Sequence, residues 1–191
     1  MDNEDIVITV KNYNTKKGLS RVLHESESMN KQFEVQGPMG KGLDLQESGT
    51  HLFFAGGTGI LTFIDLVGHL VKLNLNLLPE HERFFKSDFK MVLFLSFNNR
   101  EEAIALELLE AFAEMCALNK LDNFQLHLRI TQEEVVKQRW NYDFIERQLL
   151  LHKDSKRVYC CGPPIMSETF DLAFQELTAN HSFPKSIFEV L

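Results

Sequence analysis

The chain has 191 residues, of which 44% are hydrophobic and 25% charged, a composition typical of one globular domain or slightly more. Its formal net charge of −7 argues against a nucleic-acid-binding protein, which would present a basic face. The acidic start MDNEDIVITV lacks the cationic lead of a secretory signal peptide. Three cysteines make no disulfide framework and seven histidines lack metal-ligand spacing, so we expect a cytoplasmic or cytosol-facing protein without a metal site.

The N-terminal part, residues 1–45, carries two short strand patterns, at 6–10 (IVITV) and 33–36 (FEVQ). Between them, GLSRVLHES predicts one helical turn with Ser20 as its N-cap. The glycine-rich segment GPMGKG at 37–42 predicts a turn and a boundary, because the pattern of the sequence changes after it. We therefore expect a small separate unit before the rest of the chain.

Residues 46–191 alternate short apolar strands with helical patterns. The predicted strands are 51–55, 90–97, 124–130, 158–161 and 186–191, and the predicted helices run through Leu73, over 101–118, through Leu151 and over 164–177. Such alternation requires right-handed crossovers between parallel strands. It predicts an α/β, Rossmann-like, five-stranded parallel sheet with helices on both faces.

A glycine-rich turn follows the first of these strands: Gly56, Gly57, Thr58 and Gly59. In an open parallel sheet, ligands bind where the strands end at their carboxyl edge. The glycines permit close approach of a ligand, and the N–H groups of the next helix can donate to an anion such as a pyrophosphate. Taken alone, the motif favours an ordinary tight turn over nucleotide binding, since it matches neither the phosphate-binding loop nor G-x-G-x-x-G.

The segment VYCCGPPIM forms a second break at the same predicted edge. Pro163 and Pro164 remove two backbone donors and stiffen the turn, and Pro164 suits the first position of the next helix. Gly162 lets a flat group lie against the backbone, and Cys161 ends the strand facing that space. The alternative is a buried cysteine before a strand-to-helix turn.

HLFFAGGTGI, VYCCGPPIM and an aromatic-containing final strand together resemble the pyridine-nucleotide domain of the ferredoxin–NADP reductase superfamily. The similarity is greatest to the branch of cytochrome b5 reductase and nitrate reductase. Upstream, ITVKNYNTKKGLSRVLHES and FEVQGPMGKGLDL resemble the last strands of that family's flavin barrel. The resemblance implies that residues 1–45 are the end of an FAD-binding β-barrel and that residues 46–191 are an NAD(P)H-binding domain.

The resemblance also implies roles for single residues. The family's cysteine before Gly-Pro-Pro lies beside the nicotinamide C4 and helps to position the hydride, which gives Cys161 the catalytic position. Cys160, one residue earlier on the strand, would point to the opposite side, into packing. The implied nucleotide-binding residues are Gly56, Gly57, Thr58, Gly59, Gly162, Pro163, Pro164 and Met166. The implied FAD pyrophosphate turn is Gly18, Leu19 and Ser20, where a plain helix cap at Ser20 is the alternative.

Thr131, Gln132 and Glu133 follow the third predicted strand. They resemble the Thr-x-Asp of NADH-using family members, whose carboxylate accepts a hydrogen bond from the ribose and repels a 2′-phosphate. We therefore expect Thr131 and Glu133 to bind the cofactor and NADH to be preferred over NADPH. Arg129 is a cation that would weaken the preference for NADH if it lay near the ribose. The alternative is that Arg129 is an exposed charge at the end of the strand. Arg100, beyond the second strand, would weaken the preference less.

The sequence departs from the family in two places. The family's Gly-Ile-Thr-Pro continues here as Gly59, Ile60, Leu61 and Thr62, which relaxes the helix start but leaves its backbone N–H groups. The Arg-x-Tyr-Ser/Thr motif of the flavin barrel has no counterpart, so we expect no FAD to be retained by this chain alone. A fragment of a longer reductase, a barrel completed by another polypeptide, and a flavin-free relative all remain open.

These observations favour the NAD(P)H-binding part of an FAD-dependent oxidoreductase. It would pass hydride from NADH to FAD and then electrons to a haem or iron–sulfur acceptor, with the missing barrel half on the same or another chain. One alternative is a non-catalytic nucleotide-binding or scaffold module with this fold. Another is the cytosolic tail of a membrane ferric reductase or NADPH oxidase, tethered through an upstream segment.

Overall fold

The structure of the chain is a computed structural model that describes residues 9–12, 17–25, 31–37, 39–133 and 140–191. The chain forms two compact units, Met1–Asp44 and Leu45–Leu191. The assignment of the first unit to a flavin barrel stays a prediction.

A short helix is the regular element in the described part of the first unit. Helix α1 spans Leu19–His24, so Ser20 lies inside it and the predicted N-cap at Ser20 is wrong. The cap position belongs to Gly18, and no side chain accepts a capping hydrogen bond there. The chain turns into the helix at Gly18 with a φ of 119°, which glycine adopts far more readily than other residues, so the helix begins earlier than predicted.

The strand predicted at residues 33–36 is also wrong, because the structure shows no regular secondary structure there. Of the strand predicted at 6–10, residues 6–8 lie outside the described residues, and residues 9 and 10 are not in a strand. A strand needs a neighbour that pairs its backbone N–H and C=O groups. The described residues of this unit contain no such neighbour, and Phe33 and Val35 stay 43% and 61% exposed.

The second unit is built on one parallel sheet. Its strands are β1 Thr50–Gly56, β2 Lys90–Phe97, β3 Phe124–Ile130, β4 Arg157–Cys161 and β5 Phe188–Val190. They lie side by side in the order β3-β2-β1-β4-β5, and every neighbouring pair is parallel. Strand β1 is therefore central, and all but its first residue are buried. The predicted α/β, Rossmann-like, five-stranded sheet is confirmed.

Four helices of this unit connect the strands: α2 Leu61–Asn74, α3 Leu106–Leu118, α4 Tyr142–Leu151 and α5 Pro164–His181. Helix α3 begins five residues later than the predicted 101, because Ala105 takes a left-handed conformation with φ 58° and interrupts the helical path. Helix α5 continues four residues beyond the predicted 177. No helix among the described residues is long and apolar enough to cross a bilayer.

The sheet is covered on both faces, as predicted. Phe54 stacks on Phe94, with ring centroids 4.6 Å apart, in a cluster that joins strand residues to residues of α4 and α5. Phe53, the preceding residue in β1, points the other way and meets Phe63 of α2 edge to face at 5.0 Å. Burial on both faces explains why the strands read as continuous apolar runs in the sequence.

A buried histidine stands at the start of β1, at the sheet edge where the strands begin. His51 is fully buried; its Nδ1 donates to the carbonyl of Gly49 at 3.2 Å, and its Nε2 accepts from the N–H of Gln46 at 3.3 Å. Its ring packs 4.8 Å from that of Phe89. Burial is the main cause that lowers the pKa of His51 from 6.5 to about 4.

Because the pKa of His51 is lowered, we expect the folded chain to lose stability in acid. The folded chain keeps His51 neutral down to about pH 4, whereas the unfolded chain binds a proton below 6.5, so stability falls as the pH falls through that window. Between pH 7.5 and pH 5 the loss should be about 2 kcal/mol. Burial also lowers the pKa of His127 and His152, so some loss in acid is expected whichever histidine is replaced. Urea unfolding at both pH values should show a loss about 2 kcal/mol smaller in His51→Gln than in the unaltered chain or in His81→Gln, an exposed control. An equal loss in all three would contradict it.

Candidate functional site

The candidate site lies where the order of the sheet reverses. The chain proceeds outward from β1 to β2 and β3, then returns to the other side of β1 with β4 and β5. In open α/β sheets, the crevice at such a switch point is the usual ligand site. Strands β1 and β4 are neighbours there, with Ala55 opposite Cys161, so both glycine-rich turns leave the sheet at this point.

The first turn is short and tightly wound. Gly57 has a φ of 56°, in the left-handed region that favours glycine, and it opens a 3-10 turn over Gly57–Ile60 that runs directly into α2. A Cβ placed on Gly57 would meet no heavy atom within 4 Å, so the space beside it is open. No side chain caps the 3-10 turn or α2. The N–H of Leu61, the first residue of α2, already donates to the carbonyl of Thr58, so the N–H groups that can donate to an anion are those at the start of the 3-10 turn.

The two turns touch through their glycines. A Cβ placed on Gly59 would lie 2.6 Å from the carbonyl carbon of Cys161 and 3.1 Å from the nitrogen of Gly162. A Cβ on Gly162 would lie 3.3 Å from the Cα of Gly56. Residues about a hundred positions apart in the sequence are thus held in backbone-to-backbone contact, and no side chain other than hydrogen fits at Gly59 without moving the backbone.

Met166 closes this contact from the side of α5. Its Sδ would lie 2.8 Å from a Cβ on Gly56 and 2.6 Å from a Cβ on Gly162, so the thioether rests on both glycines. Pro164 occupies the first turn of α5, and the N–H of Met166 donates to the carbonyl of Pro163 at 2.8 Å. The Cys-Gly-Pro-Pro turn is therefore fixed by its own helix start.

The two adjacent cysteines have opposite environments. Cys160 is fully buried in the cluster beneath α4 and α5, and burial is the main cause that raises the pKa of its thiol. Cys161 is half-buried at the edge, and its Sγ lies 3.2 Å from the hydroxyl oxygen of Thr62, within hydrogen-bonding distance. The resembling family's motif has proline at the position of Thr62, and proline has no hydroxyl with which to make this contact.

Further along the edge, the ends of β2 and β3 form a polar cluster. Thr131 donates its hydroxyl to the side-chain oxygen of Asn98 at 3.4 Å, and its N–H donates to the carbonyl of Phe97. Glu133 accepts from Nε of Arg100 at 3.1 Å. The carboxylate that the sequence assigns to the ribose is thus already engaged by a cation.

The structure changes the ranking of the two arginines. The sequence placed Arg129 before Arg100 as the cation that would oppose NADH preference, but Arg100 is the one hydrogen-bonded to Glu133. A second bond runs from its Nη1 to Glu110 at 3.3 Å, and these two carboxylates, Glu110 first, raise the pKa of Arg100. The contact between Thr62 and Cys161 was not predicted either. Such contacts depend on which strand ends are neighbours in the folded chain.

Gly18, Leu19 and Ser20 lie in the other unit, Met1–Asp44, at the start of α1. Their role as a flavin pyrophosphate turn remains a prediction. Among the described side chains, no group of three or more histidine, cysteine, aspartate or glutamate residues comes together as a metal site would require.

Comparison with solved structures identifies the fold. The cytochrome b5 reductase domain of Ulva prolifera nitrate reductase is similar to this chain with a TM-score of 0.56 and 18% identity, over 90% of this chain and 63% of that one. The CS-b5R domains of human Ncb5or, in their NAD+ form, give a TM-score of 0.62 and 17% identity, over 96% of this chain and 47% of that one. The chain has a ferredoxin–NADP reductase-like fold.

The fold that the motifs predicted is therefore confirmed. The chain spans roughly half to two thirds of the length of these two reductase structures. No protein-family model and no curated protein matches its sequence.

Proposed function

We propose that this chain is the NADH-binding part of an FAD-dependent electron-transfer reductase. When bound, NADH supplies a hydride, which a flavin would accept, and the electrons would pass singly to a haem or iron–sulfur acceptor. The flavin would belong to a complete barrel, whose remaining strands would come from elsewhere on the same polypeptide or from another one.

One observation carries the proposal: the contact between Gly59 and the Cys161–Gly162 backbone at the switch point of the sheet. Glycine at both places lets the two turns meet backbone to backbone, with no side chain between them, and the space beside Gly57 stays open. A flat or phosphorylated ligand can lie against such a backbone surface.

The residues around this contact suggest how a dinucleotide would lie. The start of the 3-10 turn at Gly57–Ile60 would offer N–H donors to the pyrophosphate. Cys161, half-buried at this edge, would touch the nicotinamide, and the hydroxyl of Thr62 lies within hydrogen-bonding distance of its sulfur. The adenosine would lie toward β2 and β3, with its ribose near Thr131 and Glu133. NADH is the expected cofactor, because Glu133 brings a negative charge to the ribose.

Nucleotide binding by the purified chain tests the proposal. Titration calorimetry or ligand-observed NMR should detect NADH binding, and Thr58→Glu should weaken it at least about tenfold, because a carboxylate in the first turn repels the pyrophosphate. Gln175→Glu adds the same charge on an exposed position of α5 and should change affinity less than about twofold. Absence of binding at millimolar NADH and NADPH would overturn the proposal and favour the scaffold alternative.

A further inference from the structure

Arg100 and Glu133 occupy equivalent places on neighbouring strands. Strands β2 and β3 end with Phe97 opposite Ile130, and each of the two charged residues is the third one after its strand end. The N–H of Gln132 donates to the carbonyl of Asn98 at 2.9 Å, which continues the strand pairing beyond the sheet. The side chains of Arg100 and Glu133 are therefore set beside each other by the backbone.

The resulting ion pair is exposed, with 53% of the Arg100 side chain and 55% of the Glu133 side chain accessible. Exposed pairs of this kind add little to stability and exchange partners readily. The Nη1 of Arg100 is also hydrogen-bonded to Glu110 of α3 at 3.3 Å, which would keep the guanidinium in place if Nε let go of Glu133. A guanidinium held in this way is suited to bind a phosphate through two parallel hydrogen bonds.

The location of the pair links this exchange of partners to a bound dinucleotide. Strand β3 lies two strands from β1, roughly 10 Å along the edge at the usual spacing. This is within the reach of the adenosine ribose of a dinucleotide whose pyrophosphate lies on the β1 turn. Glu133 alone would repel a 2′-phosphate there, but Arg100 offsets its charge.

We propose that Arg100 admits a 2′-phosphate at the ribose end of the site by exchanging the carboxylate of Glu133 for the phosphate. This inference rests on the proposed function and deepens it. NADH remains the better cofactor because Glu133 stays nearby, but NADPH is accepted with only a small loss. Arg100 thus reduces the preference for NADH over NADPH, whereas Glu133 increases it.

A pair of probes that differ only in the 2′-phosphate tests this: 5′-AMP and adenosine 2′,5′-bisphosphate, titrated into the purified chain by NMR. In the unaltered chain, the two affinities should agree within about threefold. Arg100→Gln should weaken the bisphosphate at least about tenfold and leave 5′-AMP within about twofold, whereas Glu133→Gln should tighten the bisphosphate about tenfold.

Lys86→Gln is the matched control, because Lys86 forms a comparable exposed ion pair with Glu47 at 3.1 Å in a segment outside the candidate site, and its loss should leave both probes unchanged. If 5′-AMP binds and Arg100→Gln changes both probes equally, or neither, the role of Arg100 is overturned while the proposed function stands. If neither probe binds the unaltered chain at millimolar concentration, the proposed function fails and this inference fails with it.

Discussion

Replacing Gly59 by alanine is expected to lower the free energy of unfolding by about 3 kcal/mol, a large effect for a single methyl group. The added Cβ would lie 2.6 Å from the carbonyl carbon of Cys161 and 3.1 Å from the nitrogen of Gly162. Both are backbone atoms of a strand end that pairs with β1, so neither can rotate away as a side chain would. The strain has to be relieved by separating the two turns.

Gly68→Ala is the matched control for this prediction. Gly68 lies within α2, and a Cβ there would meet no heavy atom within 4 Å. Alanine at that position should raise the free energy of unfolding by roughly 0.5–1 kcal/mol, through helix propensity. Urea denaturation of the two variants at pH 7.5 measures the difference. A Gly59→Ala protein as stable as Gly68→Ala would show that the turns are not in contact.

The positions of the strands could be predicted because both faces of the sheet are covered. A strand such as β1 or β2 then shows as an unbroken apolar run, and the predicted 51–55 and 90–97 match Thr50–Gly56 and Lys90–Phe97 closely. The first unit offered no such signal. The run at 33–36 has the alternation of a strand, but alternation cannot create the partner strand that its backbone needs.

Local backbone conformation caused the error in α3. The sequence from residue 101 onward is rich in good helix formers, which predicts a helix from that point. Asn99 instead folds the segment back on itself: its side-chain oxygen accepts from the N–H of Glu102 at 2.8 Å, as asparagine does in turns. Ala105 then takes a left-handed conformation before α3 begins. An alanine in the sequence does not predict this conformation.

Some features of the candidate site could be predicted from the sequence and others could not. Its two turns could be predicted, because glycine and proline report their own backbone geometry. The contacts across the edge could not: Thr62 and Cys161 are 99 residues apart, and Arg100 and Glu133 are 33 apart. Each pair meets because strands that are distant in sequence end side by side, and the residue types alone carry no trace of it.

The same geometry predicts that one thiol of three reacts readily with a maleimide. Cys161 is half-buried at the edge, whereas Cys116 and Cys160 are 1% and 0% exposed. Burial, the first cause in both, raises the pKa of these two thiols and lowers their thiolate fraction. Each also needs local opening before a reagent can reach it, so Cys161 should react at least about 100-fold faster.

Mass spectrometry of the folded chain at pH 7.5 should therefore find a single rapid addition, and Cys161→Ser should abolish it, whereas Cys116→Ala should leave it intact. Saturating NADH should slow the addition to Cys161, because its nicotinamide end would cover the sulfur beside Thr62. 5′-AMP, which lacks that end, should protect far less. Equal rates at all three thiols would refute the difference in accessibility between Cys161 and the two buried thiols. Equal protection by both nucleotides would show that the nicotinamide does not lie beside Cys161.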